Sequence, residues 1–178
     1  MTKKTKAAIL GLVIVLSVCL SFFIEASAQS ANQQQISKIK INCSSIKNTL
    51  NQLLVSDALL RVNMGQRYEL VSTKLMDRFN SRVASNSFNI DNLSAASSSY
   101  RSQLDIFRAD YMSYEENLAS TVKIDCINQP GEFYDSLMST RAKRAQVYND
   151  VTGLDYKINQ YRSAVSDFES KYQSSGGK

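Results

Sequence analysis

The stretch Phe133–Tyr172, FYDSLMSTRAKRAQVYNDVTGLDYKINQYRSAVSDFESKY, decides the fold. In it Phe133, Leu137, Thr140, Arg144, Val147, Val151, Leu154, Ile158, Tyr161, Val165, Phe168 and Tyr172 follow one another in alternating steps of four and three. Such spacing puts one residue per turn on a single helix face. Sustained far beyond an ordinary helix of about 11–12 residues, it marks a helix packed lengthwise on near-parallel partners.

Two more seams precede it. Ile36, Ile39, Cys43, Ile46, Leu50, Leu53, Leu60, Met64, Tyr68, Val71, Leu75 and Phe79 form the first, with Asp57 in the slot between Leu53 and Leu60. Two successive steps of four near Met64–Tyr68, beside Gly65, resemble a stutter, so a local irregularity is expected in the Arg-rich segment 61–68. Leu93, Ser97, Tyr100, Leu104, Phe107, Tyr111, Tyr114, Leu118 and Val122 form the second seam, which opens weakly through the Ser-rich run 94–99. The break at 86–91 offers Asn89 or Asp91 as a cap. The break at 127–131 offers Asn128 as a cap and Pro130 for a first helical turn. Helices are expected over about 31–84, 91–122 and 130–173, with a flexible tail at 174–178. Short loops between long helices predict an all-α, elongated, antiparallel three-helix bundle, a coiled-coil-like rod whose first helix, about 50 residues, runs roughly 75 Å.

At the N-terminus, Lys3, Lys4 and Lys6 precede an apolar run at 7–24, and Ala26-Ser27-Ala28 follows. Basic flank, apolar run and small-x-small site are the parts of a secretory signal, with cleavage expected after Ala28. The run of 18 residues also reaches the lower limit of a membrane span, so an uncleaved anchor through 7–24 is the rival. Both readings put the body outside the cytoplasm, in the periplasm or at the cell surface. Val18 stands where a lipoprotein site wants a small residue, so Cys19 reads as part of the apolar run.

Removing Lys3, Lys4, Lys6 and Glu25 with the signal lowers the net charge from +5 to +3 over the remaining 150 residues. That is one domain's worth of chain and too little charge to argue for nucleic acid. There is no His, so His-based triads and His-ligated metals are excluded. Gly65, Gly131 and Gly153 stand alone and make no phosphate loop. Glu115 and Glu116 are adjacent, so on a helix they point about 100° apart and share no site. Neither an enzyme, a cofactor nor a metal is expected.

Cys43 and Cys126 remain in the body, and an even number in an exported chain suggests a disulfide. Levels on the first two helices leave Cys126 roughly 9 Å short of Cys43 if the second helix continues through it. The bridge therefore requires that helix to end first, with extended residues closing the gap.

Asp57 in its seam needs a partner, Arg61 or Arg144, and either forms a polar layer or contact with Arg61 and Arg67 nearby, or sits at the seam's wet edge. Arg141, Lys143 and Arg144 form the densest basic run, a candidate patch for anionic lipid or envelope polymer, or a solvated face. Most of the tyrosines 100, 111, 114, 148, 156, 161 and 172 fall at seam spacing, which predicts core packing.

The segments RVNMGQRYE at 61–69, TKLMDRFNSR at 73–82, KIDC at 123–126 and the F-Y-D-x-L pattern at 133–137 resemble an uncharacterised family of small exported helical proteins of bacteria with reduced genomes. The basic, exported, hairpin character is also similar to periplasmic holdases of the Skp/OmpH type, whose small β body has no counterpart here. The expected function is non-enzymatic: a structural or protein-binding component of the envelope or surface, with a protein partner or homo-oligomer. The alternative is an extracytoplasmic holdase with an apolar cleft between helices.

Overall fold

The computed structural model describes residues 32–176. The expected signal segment, with Cys19 and the apolar run 7–24, lies outside them. The described residues are helical, with connecting turns and no strand.

Helix α1 spans Gln33–Leu70 and opens with a capping box, in which Asn32 accepts from the Gln35 amide while the Gln35 side chain accepts from Asn32. A π-helical turn, Val71–Met76, joins it to α2, Asp77–Ser85, without a break in direction. The irregularity therefore falls one turn later than the expected 61–68, and Gly65 lies within regular helix. The buried positions explain the shift. Tyr68, Ser72, Met76 and Asn80 are each four apart and all buried. A step of four overshoots a 3.6-residue turn by about 40°, and the wider π turn absorbs that excess. The same shift leaves Leu75, a seam position, exposed. Phe79 is half-buried, with its ring edge-on to Phe168 at 6.0 Å.

Helix α3 spans Asp91–Lys123 and α4 spans Pro130–Ser174. Ile90 takes the N-cap position of α3 with no side-chain cap, so neither Asn89 nor Asp91 caps it; Asn89, two residues before α3, accepts from the Asp91 amide at 2.9 Å. Asn128 does not cap α4. The turn before α4 is instead built on Asp125, whose carboxylate accepts from the amides of Ile127 and Asn128 and from the Asn128 side chain. These bonds, those of Asn128 foremost, hold the Asp125 carboxyl below its ordinary pKa. Pro130 takes the first position of α4, as its missing N–H allows. Ser174, expected in the tail, is still helical.

Cross-contacts fix the order as up-down-up. Tyr68 meets Tyr100 and Asn80 meets Ser97 between α1/α2 and the descending α3. Thr121 meets Thr140 between α3 and α4. The Tyr161 hydroxyl reaches Met76 and Asn80 across from α4. The α3–α4 pair is packed most extensively, whereas α1 touches α4 sparsely. The core holds Met76, Leu93, Tyr100, Leu104, Leu118, Phe133 and Leu154. Tyr148 and Tyr156 lie outside it, both exposed, because they sit one and two residues past the seam positions 147 and 154.

A disulfide joins Cys43 and Cys126, with Cα atoms 5.7 Å apart. The helix ends as that geometry requires: α3 stops at Lys123, and Ile124 is extended at φ −65° and ψ 137°.

Candidate functional site

Where α1 and α4 diverge, a cleft of about 760 Å³ opens over the aromatic flank of α3. Tyr68, Phe107, Tyr111 and Tyr114 make its floor, and Leu60, Met64, Val147 and Val151 its apolar walls, with the exposed ring of Tyr148 at its edge. The floor rings lock one another edge-on, Tyr68 to Phe107 at 5.6 Å and Tyr111 to Tyr114 at 6.0 Å.

Asp57 stands at one end. Only 8 % exposed, it is no wet edge of the seam. The Tyr114 hydroxyl donates to its Oδ2 at 2.7 Å and the Arg144 Nε at 3.1 Å. The carboxylate in turn raises the Arg144 pKa. Burial first, then the hydrogen bond to Asp57, pushes the Tyr114 hydroxyl far up. Tyr111 is pushed up to about 12, chiefly by burial.

Arg61 does not reach Asp57. Its guanidinium lies 3.6 Å from Glu115 and covers the Tyr111 ring at 5.4 Å from the centroid. Arg141 also lines the cleft; its guanidinium donates to Met138 Sδ at 3.9 Å, and no carboxylate pairs with it among the described residues. The structure thus gathers Asp57, Arg61, Arg141 and Arg144, from two separate stretches of sequence, into one cleft. Arg67 is exposed and does not line it, and Lys143 turns to α3, donating to Ser113 Oγ at 2.6 Å.

Two polar clusters lie elsewhere in the bundle. Thr121, Thr140, Ser136 and Asn117 bond one another between α3 and α4. Asp150, 3 % exposed, accepts from Gln146 at 3.2 Å through Oδ1, while Oδ2 has no partner. Burial, and then the neighbouring Asp110 carboxyl, raise the Asp150 pKa. The hydroxyl cluster has no base beside it, so it reads as a register device rather than a nucleophile.

A second surface escaped the seam pattern. At about 100° per residue, Val55, Leu59, Val62 and Leu70 fall roughly 140–220° around α1 from buried Asp57, facing directly away from the core. All four are about half or more exposed. Asn48, Gln52 and Gln66 fall in the same sector of roughly 140–220°, which holds no charged residue from 48 to 70; Glu69 and Asn63 flank it on either side. The signal was present as a second series of four-three steps, 55, 59 and 62, beside the seam.

Comparison with protein-family models, curated proteins and solved structures finds no match to this chain.

Proposed function

We propose that this is a non-enzymatic structural component acting outside the cytoplasm, which assembles with a second copy of itself through the outer face of α1. The uncharged apolar face Val55–Leu59–Val62–Leu70 carries this reading. Exposed apolar residues at helical spacing, opposite the core, do nothing for the fold of one chain. Self-pairing across a two-fold axis sets the same patch against itself, residue i against j and j against i, so a patch carrying one sign of charge would face that same sign. A face of amides and aliphatic side chains avoids that cost. From Asn48 to Leu70 it runs roughly 33 Å, enough for two helices to meet side by side.

The extracytoplasmic placement rests on the basic flank, the apolar run 7–24 and Ala26-Ser27-Ala28. The Cys43–Cys126 bridge agrees with it, since disulfides persist in oxidising compartments. Among the described residues no helix is long and apolar enough to cross a membrane. The up-down-up order and four-three seams support a coiled-coil-like packing. Cross-linking on intact cells tests the assembly: the chain linked to itself supports it, and a chain recovered only as monomer contradicts it. A holdase-type chaperone is the second reading, favoured by the open apolar cleft between α1 and α4.

A further inference from the structure

We infer that the cleft between α1 and α4 binds a single-chain amphipathic anion: an alkyl chain lying on the aromatic floor, with its carboxylate or phosphate head at Arg141. This site is independent of the outer face of α1.

Three observations carry it. The first is size. About 760 Å³ falls within the roughly 300–1,000 Å³ of small-molecule pockets, and is a small opening for a folded partner. The second is surface. The floor and walls are aromatic and aliphatic, and Leu60 and Tyr148 leave much of their apolar area in water at the cleft edge. An alkyl chain laid there removes that area from water without leaving any buried polar group unpaired.

The third is charge. Three guanidiniums line the cleft against one carboxylate, Asp57. Arg144 is already committed to Asp57, and Arg61 faces Glu115 while covering Tyr111. Arg141 has no acidic partner among the described residues, and it stands one turn from Arg144 at the cleft margin. An anionic head completes the set, with two-pronged donation from a planar guanidinium suited to carboxylate or phosphate alike. A neutral lipid leaves Arg141 unanswered, and a cationic one is repelled. An unfolded protein segment fills the apolar floor but gives no reason for the cationic margin.

The purified full-length protein is equilibrated with radiolabelled palmitate below its critical micelle concentration, and bound ligand is measured by dialysis. Hexadecyl phosphate, hexadecanol and hexadecyltrimethylammonium serve as competitors. Expected are saturable binding near one palmitate per chain and competition by hexadecyl phosphate. Hexadecanol should compete about tenfold more weakly, and the cation not at all. Arg141→Gln should weaken palmitate by about tenfold with hexadecanol unchanged, and Met64→Asp should abolish both. Both positions are at least partly exposed, and helicity with an intact disulfide checks that each variant is folded. Displacement by hexadecyl phosphate stronger than by palmitate itself assigns the head to phosphate, and the reverse to carboxylate. Absence of palmitate binding, equal binding of hexadecanol, or an Arg141→Gln variant indistinguishable from the parent overturns the inference. So does suppression of client aggregation that palmitate fails to displace, which gives the cleft to protein clients.

Discussion

The Tyr114 hydroxyl donates to the buried Asp57 carboxylate at 2.7 Å, tying the middle of α3 to the middle of α1 at the end of the cleft. Arg144 of α4 completes the junction from the solvent side at 3.1 Å, so α1, α3 and α4 meet at one carboxylate. Tyr114→Phe removes one of the two donors to Oδ2 and leaves a buried acceptor short, a cost of about 1–3 kcal/mol. The melting temperature is expected to fall by about 2–4 °C per kcal/mol. Asp57→Leu combined with Tyr114→Phe should cost less than the two single changes together, because an apolar pair of similar volume needs no partner. Thermal melts of the four proteins of that cycle read the coupling directly, and strict additivity would contradict it.

The disulfide closes a loop of 83 residues. In the chain-entropy picture, replacing both Cys43 and Cys126 with Ser lowers stability by about 4 kcal/mol. Intact mass should rise by two hydrogens on reduction, and denaturant melts should show the loss. A parent protein with free thiols would remove the bridge from the structure.

Asp150 gives a pH dependence of defined sign. Its folded pKa is raised, by burial first and then by Asp110. The folded state therefore holds a proton that the unfolded state has already released. The stabilising contribution is complete below the ordinary Asp pKa near 4 and is lost as pH rises through the folded value. Asp150→Asn keeps the Gln146 contact, supplies a donor in place of the unpartnered Oδ2 and removes the charge beside Asp110. It should raise the melting temperature at pH 7 by about 2–4 °C, equivalent to about 1 kcal/mol, and by little at pH 3. A gain of equal size at both pH values would show that charge is not the cause.

Gly65 lies in the interior of α1, and a Cβ there meets nothing within 4 Å. Gly65→Ala should therefore stabilise by about 0.5–1 kcal/mol through the helix preference alone. A loss in a urea melt would mean that α1 needs an irregular turn at 61–68 after all.

What the sequence disclosed was periodic. Helix ends at 85, 91, 123 and 130 lie within a residue or so of their expected places, because the polar breaks, Pro130 and the stop of the four-three steps mark them locally. The Cys43–Cys126 pairing was legible too, through the even number of cysteines in the body, and the rise per residue added that the second helix must end before Cys126. The π turn was displaced by one turn because its cause is tertiary. Ser72 and Asn80 are polar, so only their burial against α3 and α4 reveals the new register. The cleft was legible only in pieces. Arg144 was named beside Arg61 as a possible partner for Asp57, but nothing in a linear pattern chooses between them or says that α1 stands away from α4 over Tyr111. The outer face of α1 was hidden by its neighbour: once Leu60 is read as seam, Leu59 and Val62 look like surface residues of no consequence.

The most direct test of self-assembly is the mass of the purified protein by light scattering, with Leu59→Glu and Val62→Glu measured beside it. Both residues are exposed and face away from the core, so the fold of each chain is unaffected. Expected is twice the chain mass for the parent, falling to the single-chain mass when each copy carries an unpaired charge into an uncharged interface. A parent that is monomeric across the micromolar range, or a dimer that both substitutions leave intact, would contradict assembly through this face.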